Sequence, residues 1–335
     1  MIELKKDTLL VSFPEVHRDA TLRIEFQRTL RIPDDDRTYP LPPGLGRFPL
    51  RHVDDFAQRV PAKWQSRGGV MLPMYQSEAL WLNFSCDFGY PFAVKVGTGK
   101  INAVTGDEWS DGLHASPQDY LVVPDQPWLD GYCVEKGVIR QFVAMPLGSG
   151  YSVEEQITGA GEHGGIQIVV YPFDASAYER LGRVRVRQRV LYDMLPAYLS
   201  ESAAPDMGLS PGGRMEQEIY DDHYPFEEWD QGHRGRCFVH LSNALVWRSI
   251  TAEEPPPTPA TAEEYTRAGL PWFTYYAADR AALEGAPALE KVKSVKQLGV
   301  EKGDAPLPEN TPVTPTNVIA LRAGLKPDQV REGAF

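Results

Sequence analysis

The run from Asp221 to His233 holds the densest set of side chains in this chain that can bind a metal or move a proton. It continues into His233, Cys237 and His240, an H-x3-C-x2-H spacing of imidazole and thiol, the ligand types that hold zinc. On a helix these three would share a face. On a strand Cys237 and His240 point to opposite sides. The intervening Arg236, Phe238 and Val239 favour a strand, so the expectation is that no metal binds there and that no cofactor is needed.

The same region contains carboxylates suited to acid–base work. Asp130, Glu218, Glu227, Glu228 and Asp230 are the candidates, and Trp128–Tyr132 and Pro225–Asp230 mix them with aromatic residues, as sugar-processing clefts do. Glycoside hydrolysis needs two carboxyl groups about 5–5.5 Å or about 6.5–9.5 Å apart across the bond. Sequence spacing does not give that separation.

A third kind of chemistry is cationic. Arg183, Arg185, Arg187 and Arg189 occupy every second position, which on a strand puts all four guanidinium groups on one face. Glu216, Glu218, Tyr220 and Asp222 alternate in the same way. The two rows form either an ion-pair ladder or, if they do not meet, an anion-binding face. The ladder is expected, with Glu216 and Glu218 as first partners.

Two phosphate-type motifs fail. Gly159-Ala160-Gly161-Glu162-His163-Gly164 spells G-x-G-x-x-G, but a dinucleotide site needs a helix opening from it. The following Ile166 to Tyr171 is strand-like, so the glycines are expected to join two paired strands, Tyr151–Thr158 and Ile166–Tyr171. Gly97 to Lys100 resembles the end of a P-loop, but Val94 and Ile101 stand where Gly and Ser or Thr are required. No G-x-S-x-G is present.

The elements that must carry these groups read mainly as strands. Leu22, Ile24, Phe26, Leu30 and Ile32 alternate with polar residues, a half-buried strand pattern. Phe238 to Ile250 reads as a further apolar strand, Ser202 to Gly213 as a small-residue loop and Tyr192 to Leu199 as a short helix. Glu253 to Pro259 is too rich in proline for a sheet interior. Thr261 to Glu264 is a capping box, and the aromatic run Trp272, Phe273, Tyr275, Tyr276 is expected to be buried against earlier residues.

The expected fold is mainly β, a β-rich α+β chain. It is an antiparallel sandwich or flattened barrel with a few short helices and a C-terminal helical and extended segment packed on it. The expected organisation is a body over residues 1–250, a Pro-rich linker over 251–260 and a docked segment over 261–335.

A net charge of −12 argues against non-specific nucleic-acid binding and against an anionic membrane surface. No stretch approaches the roughly 18–20 apolar residues of a membrane span. Cys86, Cys133 and Cys237 are too few and too scattered for a disulfide framework, so reduced thiols in the cytoplasm are expected. The functional expectation is a soluble, cytoplasmic, non-catalytic binding or assembly protein whose partner is another protein or a small molecule. The alternative is a carboxylate-dependent hydrolase, metal-assisted or not, acting on a carbohydrate-like substrate.

Overall fold

The computed structural model describes residues 1–35, 37–182, 206–275, 280–305 and 310–321. With 38% strand against 19% helix the protein is mainly β, and its sheets do not close into a barrel. The first sheet runs in the order Ile2–Lys5, Thr8–Ser12, Thr21–Thr29, Ala79–Cys86, Val138–Pro146, Met207–Glu216, Thr38–Tyr39. Its neighbours are antiparallel except for the last pair. The second runs Ile101–Asn102, Phe92–Thr98, Ile166–Pro172, Gly235–Asn243, Val70–Met74, Arg51–His52. There only the Gly235–Asn243 and Val70–Met74 pair is parallel.

The alternation read at residues 22–26 is real: Leu22, Ile24 and Phe26 enter one core with Leu72, Met74, Phe92, Val94, Ile166 and Ile168 of the second sheet. Each such side chain, fully buried, contributes about 1.5–3 kcal/mol. Phe92–Thr98 is buried at every position, so it reads as a continuous apolar run rather than an alternating one.

Three local expectations are corrected. Tyr151–Thr158 is not a strand: Val153–Thr158 is a helix, opened by a reciprocal Ser152–Glu155 capping box and stopped by Gly159 in the left-handed region. Ser-x-x-Glu followed by Gly is start-and-stop chemistry for a helix, and it prevails over the apolar pattern. The glycine run therefore links a helix to a strand. The loop expected at 202–213 is, from Met207 on, a ten-residue strand in the first sheet. Its small residues are there for packing: a Cβ at Gly213 would overlap the Pro33 carbonyl oxygen, and one at Gly212 would press on Val143. The strand expected over 238–250 ends at Asn243, whose side chain accepts from Leu245 N at 3.0 Å and caps the helix Ala244–Thr251. Residues 192–199 lie outside the described residues.

Past the proline run, Thr261 caps the helix Ala262–Arg267 with Glu264 in the return position. Trp272 is fully buried among Leu30, Ile32, Tyr39, Ile139 and Met215. Phe273 exchanges backbone hydrogen bonds with Leu41 and, like Tyr275, is half-buried; Tyr276 lies outside the described residues. Among the described residues no helix is long and apolar enough to cross a membrane.

Candidate functional site

One strand of the second sheet carries a buried cation. Lys95, 1% exposed, projects from Phe92–Thr98 and reaches Asp119 Oδ2 at 2.6 Å, Gly112 O at 2.6 Å and Ser110 Oγ at 3.0 Å. A buried ammonium is tolerated only when paired and hydrogen-bonded, and these oxygens satisfy it. Asp119 in turn accepts from His114 N at 2.9 Å and His114 Nδ1 at 2.8 Å. Asn102 Nδ2 donates to the Asp119 carbonyl at 2.8 Å. Residues 110–119 are thereby fastened to the sheet.

The fastened loop forms one wall of a cleft of about 310 Å³, and residues 221–226 form the other. Buried Gln118 joins the walls: its amide donates to the Tyr120 and Tyr220 carbonyls at 2.8 and 3.2 Å, and its Oε1 accepts from Asp222 N at 2.7 Å. Asp222 is the hub. Its Oδ2 accepts the Tyr120 hydroxyl at 2.5 Å and the Trp229 indole N–H at 2.7 Å, and its Oδ1 accepts Tyr224 N at 2.9 Å. Burial and the Asp222 carboxylate hold the Tyr120 phenol well above its ordinary range; burial pushes Tyr224 up to about 12.

The rings behind the cleft interlock edge to face. Trp229 meets Tyr120 at 6.1 Å, Phe173 at 5.1 Å and Tyr224 at 5.8 Å, all near perpendicular. Such pairs add about 0.5–1.5 kcal/mol each beyond area burial and make a rigid wall. Arg280 pairs with Asp125 through its two terminal guanidinium nitrogens at 2.6 Å, and His223, which follows Asp222, lies 3.4 Å from the same carboxylate. A hollow of about 360 Å³ lies elsewhere, beside Lys6, Asp7 and Arg51. Its arginine is already engaged by Glu253 at 2.6 Å and Asp7 at 3.1 Å, and His52 is the one ring among its described lining residues, whereas Tyr120, Tyr224 and Phe226 line the first cleft, which is therefore the better ligand site.

None of the five carboxylates singled out from sequence lines this cleft. Asp130 is buried, receives Gln217 Nε2 at 2.9 Å and is pushed up to about 7 by that burial. Glu218 is half-buried and raised by desolvation. Glu227 is exposed. Glu228 pairs with Arg180 at 2.7 Å, and Asp230 with His233 Nδ1 at 2.8 Å. Asp130, Glu228 and Asp230 are thus held by partners outside the cleft.

The three ligand-type residues are likewise kept apart. His233 is exposed on Asp230. Cys237 sits opposite Ile168 in the strand ladder, its thiol pushed up to about 12 by burial. His240 stacks between Trp64 and Phe238, bonds to the Gly68 carbonyl at 3.0 Å and is pushed down to about 4 by burial. Among the described residues no group of three His, Cys, Asp or Glu is placed to hold a metal. Arg183, Arg185, Arg187 and Arg189 lie outside the described residues, so the expected ladder does too; Glu216 is exposed.

The G-x-G-x-x-G run does cradle an anion, but the anion belongs to the protein. The N–H groups of Glu162, His163 and Gly164 converge on the buried Glu154 carboxylate at 2.9, 2.7 and 2.8 Å. Glu155 does the same for the preceding loop, accepting from Gly148 and Gly150 at 2.8 Å.

Sequence reasoning found the 221–233 cluster but missed Lys95, Gln118, Asp119 and Tyr120. For Gln118, Asp119 and Tyr120 the only signal is an Asp-Tyr pair after a Ser-Pro turn, which is common in loops, and Lys95 within an apolar strand gives none. No known protein family, curated protein or solved structure matches this chain.

Proposed function

We propose that the protein is a non-catalytic binding protein of the cytoplasm, and that its ligand sits in the cleft between residues 115–120 and 221–226. The observation that carries this reading is the state of Asp222. A general base needs a lone pair within reach of the substrate. Asp222 accepts three internal donors over its two oxygens, which supports a scaffolding role for the aromatic walls. The reducing compartment is supported by the three unpaired cysteines, two of them buried.

A thermal-shift screen of small polar and cationic compounds tests the reading. A ligand should raise the melting temperature of the protein, and Phe226→Ala should abolish the shift while Glu227→Gln leaves it intact. Turnover of a glycoside, lost on Glu228→Gln or Asp230→Asn, would replace the reading with the hydrolase alternative.

A further inference from the structure

With the cleft taken as the ligand site, its charge and its unengaged polar groups set the class of ligand. Asp222 accepts from a phenol, an indole and a backbone amide, all neutral, so its negative charge is not cancelled. Asp221 beside it is exposed, and its carboxylate makes no hydrogen bond or ion pair among the described residues. No Lys, Arg or His is among the described lining residues. The cations nearby are engaged elsewhere. Arg280 pairs with Asp125 at 2.6 Å, His223 lies 3.4 Å from that same carboxylate, and Lys136, which feels the Asp221 charge, pairs with Glu284 at 2.8 Å. An anion would therefore be repelled.

Two hydroxyls, those of Ser116 and Tyr224, make no hydrogen bond among the described residues, and each can donate or accept. A sugar could use both. It would, however, strip water from Asp221 without bringing the opposite charge, and a carboxylate desolvated without a partner is costly. A cation that carries N–H donors meets Asp221 both as an acceptor and as a charge. Among such cations the rings decide. Phe226 is half-buried, with its ring centroid 6.4 Å from that of Tyr120. An ammonium is a compact, strongly hydrated point charge, whereas a guanidinium is planar and weakly hydrated. Its edge can take a carboxylate through two parallel hydrogen bonds while its face lies on a ring. A volume of about 310 Å³ lies at the small end of ligand sites, which fits one such group and a short apolar stem. We infer that the cleft binds a guanidinium group, carried by a free small molecule or by an arginine side chain of a partner, with Asp221 as its carboxylate and Phe226 as its ring.

The test is ligand-observed nuclear magnetic resonance titration of the full chain. The probes are propylguanidinium, its neutral planar isostere propylurea, propylammonium, choline, glucose, inorganic phosphate and the capped peptide Gly-Arg-Gly. Propylguanidinium should bind at least about tenfold tighter than propylurea, the sum of a modest ion pair and a cation–π contact. Asp221→Asn, an exposed change that keeps the shape, should weaken propylguanidinium about fivefold and flatten its salt dependence. Phe226→Leu, which keeps an apolar side chain and removes the ring, should weaken it about threefold. Tighter binding of the peptide supports the inference and makes the ligand an arginine of a partner; binding of propylguanidinium alone supports it and makes the ligand a small molecule. Equal binding of propylurea and propylguanidinium overturns the inference. Tighter binding of propylammonium or choline overturns it too, as does propylguanidinium binding untouched by both variants. If glucose or phosphate binds in the cleft and neither guanidinium probe does, the inference fails while the cleft reading stands. If none of the probes binds, the inference fails, and the cleft reading falls with it only if the wider thermal-shift screen is also blank.

Discussion

The Tyr120 hydroxyl lies 2.5 Å from Asp222 Oδ2, a contact between residues 102 positions apart that joins the two walls of the cleft. A charge-assisted hydrogen bond of this kind contributes about 1.5–3 kcal/mol, and Asp222 makes a second one to Trp229. Asp222→Asn turns one acceptor oxygen into a donor facing other donors. We expect a loss of about 2–4 kcal/mol in urea unfolding and loss of ligand binding, with Tyr120→Phe losing about half as much stability. A change below about 0.5 kcal/mol for Asp222→Asn would remove the hub from the account.

Asp130 makes a pH prediction. Its folded-state carboxyl is pushed up to about 7 by burial, above its ordinary value of 3.8. A raised acid favours the folded state when protonated, so its contribution is fully present below about pH 4 and is lost as pH rises to about 7. Asp130→Asn should match the wild type near pH 4 and exceed it above pH 7 by up to ~4 kcal/mol. Denaturation curves at pH 4.5 and 8 read this directly; a constant gap between the two proteins would contradict it.

The nest around Glu154 predicts a local effect. Glu154→Gln keeps the size but replaces one acceptor oxygen, leaving at least one of the three converging N–H groups without a partner. The cost should be about 1–3 kcal/mol. Amide exchange at residues 162–164 should speed up more than exchange in the Phe92–Thr98 strand. Uniform acceleration across the chain would mean that the loop is held by something else.

For the C-terminal segment we propose that residues 261–335 share one folding unit with the β body. Trp272 is buried against Leu30, Tyr39 and Met215 and donates its indole N–H to Thr266 Oγ1 at 3.2 Å. Trp272→Ala should cost about 3–5 kcal/mol and lower a single unfolding transition. Two separate transitions in calorimetry would show that the segment folds apart from the body.

What could be read in advance follows the range of the interactions. The strand at Leu22–Phe26 and the helix capped by Thr261 are announced by neighbours in sequence, by alternation and by a capping box. The Ser152–Glu155 box is equally local, but the apolar residues around it read as a strand, and the Ile166–Tyr171 run reads as its partner. The Met207–Glu216 strand was hidden because its glycines answer to Pro33 and Val143, contacts far along the chain. The cleft was half legible. Asp222, Tyr224 and Phe226 sit inside the cluster flagged from composition, whereas Gln118 and Tyr120 gain their roles only when folding sets them against it. Of the five candidate carboxylates, Glu228 and Asp230 flank Trp229 in sequence, yet the carboxylate that bonds its indole is Asp222.

The cleft's role is tested most directly by nuclear magnetic resonance, following the Trp229 indole N–H, the Gln118 side-chain amide and the Asp222 and Tyr224 amides. Propylguanidinium, glucose and phosphate are titrated in turn. The account predicts that one probe shifts all four signals in a saturable way, that the shifts vanish in Phe226→Ala, and that the probe is recovered chemically unchanged. Saturable shifts confined to other parts of the chain, or conversion of the probe, would contradict it.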